Sequence, residues 1–338
     1  MSNVINEASM APSYTTMSHE RVLSDLVMDS KLETIITPRY TEHRFYSSGI
    51  SASERQKLTT ERWVRDGPDA YIGQGSFGSV YRETCLGKIR ALKKIRKFKA
   101  SETLDYTREL EAVMKFSHPK YAHCFVPSFG WFESSNHVFI TMEYLEHGDL
   151  DKHLNQPLPE HETKQITTQV LEGLNYMHEN RFAHRDLKPA NIMVVVPAPE
   201  WFVKITDFGV SKRLKDATAL RTNQGTTAYQ APEIILLEQG GTYTFAVDMW
   251  SLGVMVYKMM TARLALPKPI DKINYFHEHV AFPLEHLKAR NVTEDGIEFI
   301  VQLMSPNPST RPTAVSATEH SWIKPDYQDL IMTSNAES

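Results

Sequence analysis

His184-Arg185-Asp186-Leu187-Lys188-Pro189-Ala190-Asn191 is the stretch on which the reading of this chain turns. It sets a lysine two residues and an amide five residues beyond a carboxylate. Phosphoryl transfer asks for a carboxylate to orient the attacking hydroxyl and for further oxygen ligands to hold a divalent cation on the phosphates. Asp186 suits the first task. Asn191 suits the second, with Asp207 of Asp207-Phe208-Gly209 downstream, because carboxylate and amide oxygens are the hard ligands that magnesium takes. Lys188 is placed to reach a transferring phosphate and offset its charge.

Working outward from that loop, Gly73-Gln74-Gly75-Ser76-Phe77-Gly78-Ser79-Val80 lets backbone come close to phosphate without Cβ interference. It lies between two strand-like runs, whereas a dinucleotide-binding glycine loop wants a strand before it and a helix after it. On its own the pattern also fits a plain β-turn. Ala91-Leu92-Lys93 falls on the next strand, where alternation points Lys93 beneath the glycine loop and Lys94 the other way. A buried lysine needs a carboxylate. Glu109 is the candidate because it borders the helical stripe of Tyr106, Leu110 and Val113, while Glu111 is turned about 200° from it toward solvent. Taken singly, Lys93 and Glu109 read better as solvated surface.

The texture of the chain divides around these motifs. Residues 1–60 are rich in Ser and Thr and read as a flexible polar extension with one amphipathic stretch, a helix between about 19 and 36. From Trp63 short alternating runs and a Leu86-Gly87-Lys88 turn predict an antiparallel sheet, interrupted by one helix that Ser101 caps. After Gly148 the pattern is mainly helical, with Ile166, Val170, Leu174 and Met177 on one stripe and further helices over 247–261 and 296–304. The expected architecture is α+β and bilobal: a small sheet-rich lobe over 63–145, a larger helical lobe over 146–323, and a polar tail over 324–338. A cleft between two such lobes is a common place for a ligand.

Composition sets the outer limits. The 338 residues carry 37 Lys+Arg against 41 Asp+Glu, a net charge of −4, with 41% hydrophobic and 10% aromatic residues. These values exclude a wholly disordered chain, a collagen-like repeat and a disulfide-stapled miniprotein. They also argue against a binder of nucleic acid that works by neutralising phosphates. The basic run of Lys88, Arg90, Lys93, Lys94, Arg96, Lys97 and Lys99 is split between two strand faces, so no nucleic-acid partner is expected. Only Cys85 and Cys124 could pair, and no apolar signal segment precedes them, which predicts a reducing cytoplasmic or nuclear setting. No apolar run approaches the roughly 20 residues that span a bilayer. With Ser2 after Met1 and Asn-Ala-Glu-Ser at the end, no membrane anchor is expected.

In these motifs and their order, with Ala231-Pro232-Glu233 following, the chain resembles the eukaryotic protein kinase family from about Trp63 to Ile323. The resemblance extends to Asp248-Met249-Trp250-Ser251-Leu252-Gly253, similar to the helix that anchors the catalytic loop in such kinases, and to Arg311, whose counterpart pairs with the glutamate matching Glu233. It implies Mg-ATP as phosphoryl donor, with Asp186, Lys188, Lys93 and Glu109 as the catalytic set and Asn191 and Asp207 as Mg2+ ligands. The nucleotide site it implies comprises Ile72, Gly73, Gln74, Gly75, Ser76, Phe77, Gly78, Val80, Ala91, Lys93, Glu143, Leu145, Asp149 and Met193, with Met142 guarding its rear. Read from sequence alone, the apolar members are core positions, and Asp149 fits equally well as a helix N-cap.

Lys188 and the Gly225-Thr226-Thr227-Ala228-Tyr229 run resemble serine/threonine kinases, and Ile205-Thr206-Asp207-Phe208-Gly209-Val210-Ser211-Lys212 with His320-Ser321-Trp322-Ile323 is most similar to the calcium/calmodulin-dependent and checkpoint group. Thr226 is then expected to contact Asp186 and Lys188. Thr222 and Thr218 are the activation-loop phosphosite candidates for an upstream kinase, with Arg185 and Lys212 to gather the phosphate; an unmodified loop threonine is the competing reading. Ala190 and Lys258 stand where basic-directed relatives carry glutamate, so no selection for arginine two residues before the acceptor is expected, while Asp149 is available to one a residue further back. The expected partners are proteins bearing Ser/Thr acceptors. The competing class is a pseudokinase scaffold that binds nucleotide or partners without turnover.

Overall fold

The computed structural model describes residues 24–47, 57–65, 67, 70–75, 78–97, 106–207, 227–236 and 244–324. The small lobe is built on an eight-stranded antiparallel sheet with strands β1 (Glu33–Ile36), β2 (Tyr40–Ser47), β3 (Lys57–Val64), β4 (Tyr71–Gly75), β5 (Gly78–Cys85), β6 (Lys88–Arg96), β7 (Ser128–Glu133) and β8 (His137–Glu143). The order is β1-β2-β3-β5-β6-β8-β7, with β4 on β5. The β5–β6 hairpin turns at Leu86 and Gly87, both at positive φ (49° and 81°), the geometry a tight two-residue hairpin needs. The helix Tyr106–Phe116 (α2) presses Leu110, Val113 and Met114 into the core. Its expected cap, Ser101, lies outside the described residues.

Over the described residues the N-terminal segment differs from the flexible extension the sequence suggests. A one-turn helix, α1 (Asp25–Asp29), replaces the expected longer one, and the β-branched run Thr34-Ile35-Ile36 goes into β1. Residues 24–36 run along α2 and the β7 edge. Leu32 N donates to Trp131 O (2.7 Å), Trp131 N to Ser30 O (3.2 Å), and the buried Trp131 indole N–H to Val27 O (2.7 Å). Strands β2 and β3 meet the outer face of the sheet through a buried polar cluster. Arg90, 2% exposed, donates to Glu83 Oε2 (2.6 Å), Thr41 Oγ1 (3.1 Å) and His43 Nε2 (2.8 Å), and its guanidinium lies 4.1 Å from the Trp63 ring centroid. Leu92, Phe132 and Phe139 form a small second core on that face, packed by Leu32, Ile36 and Tyr81.

The large lobe is helical. Its spine is α3 (Glu160–Glu179) with Ile166, Val170, Leu174 and Met177 at most 1% exposed, crossed by α5 (Ala246–Thr261), which is buried almost all round. A short hairpin, β9 (Ile192–Val196) with β10 (Phe202–Ile205), lies against α3. The helices α4 (Pro232–Leu236), α6 (Pro269–Phe276), α7 (Glu285–Ala289), α8 (Glu294–Leu303) and α9 (Ala314–Thr318) complete it. Arg311 makes a two-pronged ion pair with Glu233 (2.6 and 2.8 Å) and lies 5.0 Å from the Trp250 ring centroid, tying α4 to α5.

Candidate active site

The loop before β9 and the residues after β10 form the floor of the cleft. Lys188 Nζ donates to Asp186 Oδ2 (2.8 Å), and Asn191 Nδ2 donates to Asp186 O (2.7 Å) and Oδ2 (3.3 Å). With its amide nitrogen committed to Asp186, Asn191 keeps its side-chain oxygen for a cation. His184 joins the two halves of the floor. Its Nε2 faces Thr206 O (3.0 Å), so Nε2 carries the proton and Nδ1 accepts from Asp186 N (3.3 Å).

Beneath the floor, the fully buried Asp248 of α5 accepts from His184 N (2.9 Å), Arg185 N (2.7 Å) and His178 Nε2 (2.9 Å). Burial alone would raise its pKa; the His178 hydrogen bond and charge, with His184 and the Arg185 amide, bring it below the ordinary value. Arg185 and Asp207 both sit at positive φ (65° and 55°), in a region that costs non-glycine residues about 1–3 kcal/mol each.

On the other wall Lys93 is 2% exposed and its Nζ lies 3.0 Å from Asp207 Oδ1. Burial would raise the Asp207 carboxyl; Lys93, then Lys188 among others, hold it low, which keeps it anionic and competent as a metal ligand. Lys93, Met142, Val113 and Asp207 share the lining of a cavity of about 10 Å3 with Val126, Ser128, Ile140 and Thr206. Met142 thus lines the same cavity as Val113 of α2 and Lys93 of β6. The side chain of Glu109 lies outside the described residues, as do Ser76, Phe77, Thr218, Thr222 and Thr226.

The glycines of β4 and β5 separate into two jobs. A Cβ on Gly73 would meet nothing within 4 Å, open room for a ligand, while one on Gly78 would lie 1.9 Å from Lys94 O of the neighbouring strand. Gly78 is therefore required by the sheet itself. Gly75 pairs with Gly78, and Gln74, opposite Ser79 in register, accepts from the Ser79 hydroxyl (2.9 Å). Ile72 is exposed, Val80 half-buried and Ala91 buried, and Val80 pairs with Lys93 in register. Across the cleft Met193 bridges Asp149. Asp149 caps the turn Leu150–His153 through Lys152 N (3.3 Å). Glu143 N donates to Pro127 O (3.1 Å) and its carboxylate binds Lys204 (2.8 Å), while Leu145 O accepts from Gly148 N (3.2 Å). His178, which supports the floor through Asp248, escapes motif reading because a lone histidine at a helical position carries no distinguishing spacing.

The protein kinase domain family matches residues 68–323. The chain belongs to the protein kinase family. Its relatives include the serine/threonine-protein kinase RAD53 of Saccharomyces cerevisiae, 34% identical over 76% of this chain and 32% of that protein. The serine/threonine-protein kinase cds1 of Schizosaccharomyces pombe is 33% identical over 74% of this chain and 56% of its own length. The calcium/calmodulin-dependent protein kinase cmkA of Emericella nidulans is 31% identical over 75% of this chain and 61% of its own. The group suggested by the sequence is thus the one its relatives come from, and the chain spans between about a third and three fifths of their length. The crystal structure of the Rad53 kinase domain and SCD2 superimposes with a TM-score of 0.58 at 31% identity, covering 73% of this chain and 88% of that one. The bilobal kinase architecture is shared with it.

Proposed function

We propose that this kinase transfers the γ-phosphoryl group of Mg-ATP to serine and threonine hydroxyls of protein substrates in intracellular signalling. The observation that carries the reading is the convergence of Asp186, Lys188, Asn191, Lys93 and Asp207 on one cleft, with Lys188 and Asn191 bonded to Asp186 and Lys93 bonded to Asp207. The Asp186 carboxylate orients the acceptor hydroxyl and takes its proton as the oxygen bonds to the γ-phosphorus and the bond to the β-phosphate oxygen breaks. Lys188 and Lys93 offset charge on the phosphates. Asn191 and Asp207 are the residues that would hold Mg2+, which supplies charge neutralisation across the phosphates.

Both cysteines are free and buried, which supports a reducing cytoplasmic or nuclear setting. Among the described residues no helix is long and apolar enough to cross a membrane. In this reading Thr222, with Thr218 as second candidate, is phosphorylated by an upstream kinase. Lys258, at the position where basic-directed relatives carry glutamate, binds Asp151 (2.6 Å), so a cation paired to an acid stands there in place of a carboxylate. A peptide array should show no selection for arginine two residues before the acceptor.

The test of the activity is transfer of radiolabelled phosphate from ATP by the purified chain to a generic Ser/Thr peptide. Asp186→Ala and Asp207→Ala should lower it by at least about a hundredfold. Absence of transfer by the loop-phosphorylated wild type would leave the scaffold reading in its place.

A further inference from the structure

Lys272 occupies the centre of α6 with its side chain fully buried, although a lysine on a short surface helix ordinarily sends its ammonium to water. Its Nζ donates to three carbonyl oxygens of one short run: Thr227 (2.5 Å), Ala228 (2.7 Å) and Gln230 (2.8 Å). The remaining carbonyl of that run, Tyr229 O, accepts from Ser251 Oγ of α5 at 2.9 Å. Four successive carbonyls are thus each held by a side-chain donor from a helix of the large lobe. An ammonium has three N–H groups and meets three acceptors here, a one-to-one match that a neutral amine, with two, could not make. Burial pushes the Lys272 pKa down to about 7, and among the described residues its hydrogen-bond partners are carbonyl oxygens.

The run itself lies beside the catalytic cleft. It leads into Ala231, Pro232 and Glu233, the last fixed by Arg311. The Tyr229 ring centroid is 5.9 Å from Lys258 Nζ, which binds Asp151 in the turn that Asp149 caps at the lip of the cleft. Through Lys258 and Asp151 the run is thus tied to the turn that Asp149 caps.

We propose that Lys272 is a positioning residue for the protein substrate: its ammonium fixes the backbone course of residues 227–230, and so sets affinity for the residues flanking the acceptor without entering phosphoryl transfer. The inference rests on the kinase reading above. It predicts a separation between substrate binding and chemistry that a residue needed only for folding would not produce.

The experiment compares wild type, Lys272→Met and Lys272→Gln in the full chain, using a Ser/Thr peptide selected on the wild type. The Met variant should raise the KM for peptide about tenfold or more while kcat at saturating peptide and the KM for ATP stay within about twofold. The Gln variant, which keeps two N–H donors, should fall between the two. Amide hydrogen exchange over 227–230 should accelerate in the same order. An unchanged peptide KM, or a loss confined to kcat and to thermal stability, overturns the proposal. If Lys272→Met does not fold, Lys272→Gln carries the same comparison. If the wild type phosphorylates no peptide, the kinase reading fails instead, and exchange over 227–230 that does not respond to either substitution still refutes the role of Lys272.

Discussion

Acid should loosen the strands laid over the small lobe, and His43 sets the size of the effect. The ring is 1% exposed, with Nε2 at 2.8 Å from the Arg90 guanidinium and Nδ1 at 2.7 Å from Thr34 Oγ1. Arginine only donates, so Nε2 accepts and Nδ1 carries the single proton; the folded protein holds this imidazole neutral. Burial, with the Arg90 charge beside it, lowers the pKa from 6.5 to about 3. Between those values the unfolded chain binds a proton that the folded chain refuses, so stability is complete above the unfolded pKa and is lost as pH falls from it toward the folded one. At pH 5 the unfolded histidine is stabilised by about 1.5 log units of proton binding and the folded one by almost none, a loss of about 2 kcal/mol relative to pH 7.5. The figure is nearly the same for any folded value below about 4.

The assay is urea unfolding at pH 7.5 and 5.0, with hydrogen exchange over 40–47 as the local readout, on wild type and His43→Gln. Glutamine can accept from Arg90 and donate to Thr34, yet does not titrate. Wild type should lose about 2 kcal/mol more than the variant on acidification, and exchange in β2 should accelerate. Equal pH dependence in the two proteins would refute the reasoning, since the other ionisable groups facing His43, including Arg90 and Glu83, are present in both.

Gly130→Ala should detach residues 24–36 from β7, because φ is +117° and a Cβ would lie 2.8 Å from Ser30 O and 2.9 Å from Leu32 Cγ; limited proteolysis of that segment should quicken. Arg311→Met leaves Glu233 partly buried without its cation and should cost about 3–5 kcal/mol in urea unfolding. Asp248→Ala strips acceptors from two buried backbone amides, at about 1–3 kcal/mol each, and should lower kcat more than it changes the KM for ATP. Lys93→Met should abolish transfer in the radiolabel assay while circular dichroism stays native, since the charge it removes faces Asp207 in the cleft.

What the sequence made legible follows from where the chemistry is concentrated. Asp186, Lys188 and Asn191 are legible because they lie on one short loop, where contiguous spacing survives in sequence and hydrogen bonds join them. The stripe of Ile166, Val170, Leu174 and Met177 is legible because an apolar face of a long helix has a period. The N-terminal strands are not, for the opposite reason. They dock through buried Thr41 and His43 onto Arg90 and Glu83, so the alternation that marks a strand is written in polar residues. A buried Lys93 needs a carboxylate, for which the local pattern offers Glu109, whose side chain lies outside the described residues. Asp207, 114 residues on in the chain, supplies one in the structure, a contact that no local pattern encodes.

The same contrast explains how the floor of the cleft is kept in shape. Arg185 and Asp207 are held at positive φ without being glycine, a conformation that persists only where the surroundings over-determine it. The over-determination is traceable: Asp248 grips two adjacent amides at His184 and Arg185, and the His184 ring carries that constraint to Asp186 on one side and Thr206, next to Asp207, on the other. A buried carboxylate that holds N–H groups and a buried ammonium that holds carbonyls are complementary solutions to one problem. Both the loop around Asp186 and the 227–230 run have backbone polar groups fixed outside the ladders of helix and sheet, and a charged side chain, with several acceptors or donors in one place, holds several of them at once. Asp248 thus holds the loop that carries Asp186, and Lys272 holds the 227–230 run, to which the proposal above assigns the substrate's flanking residues. Combining Asp248→Asn with Lys272→Gln should give additive losses in log(kcat/KM), to within about 0.5 kcal/mol, because the two anchors share no partner.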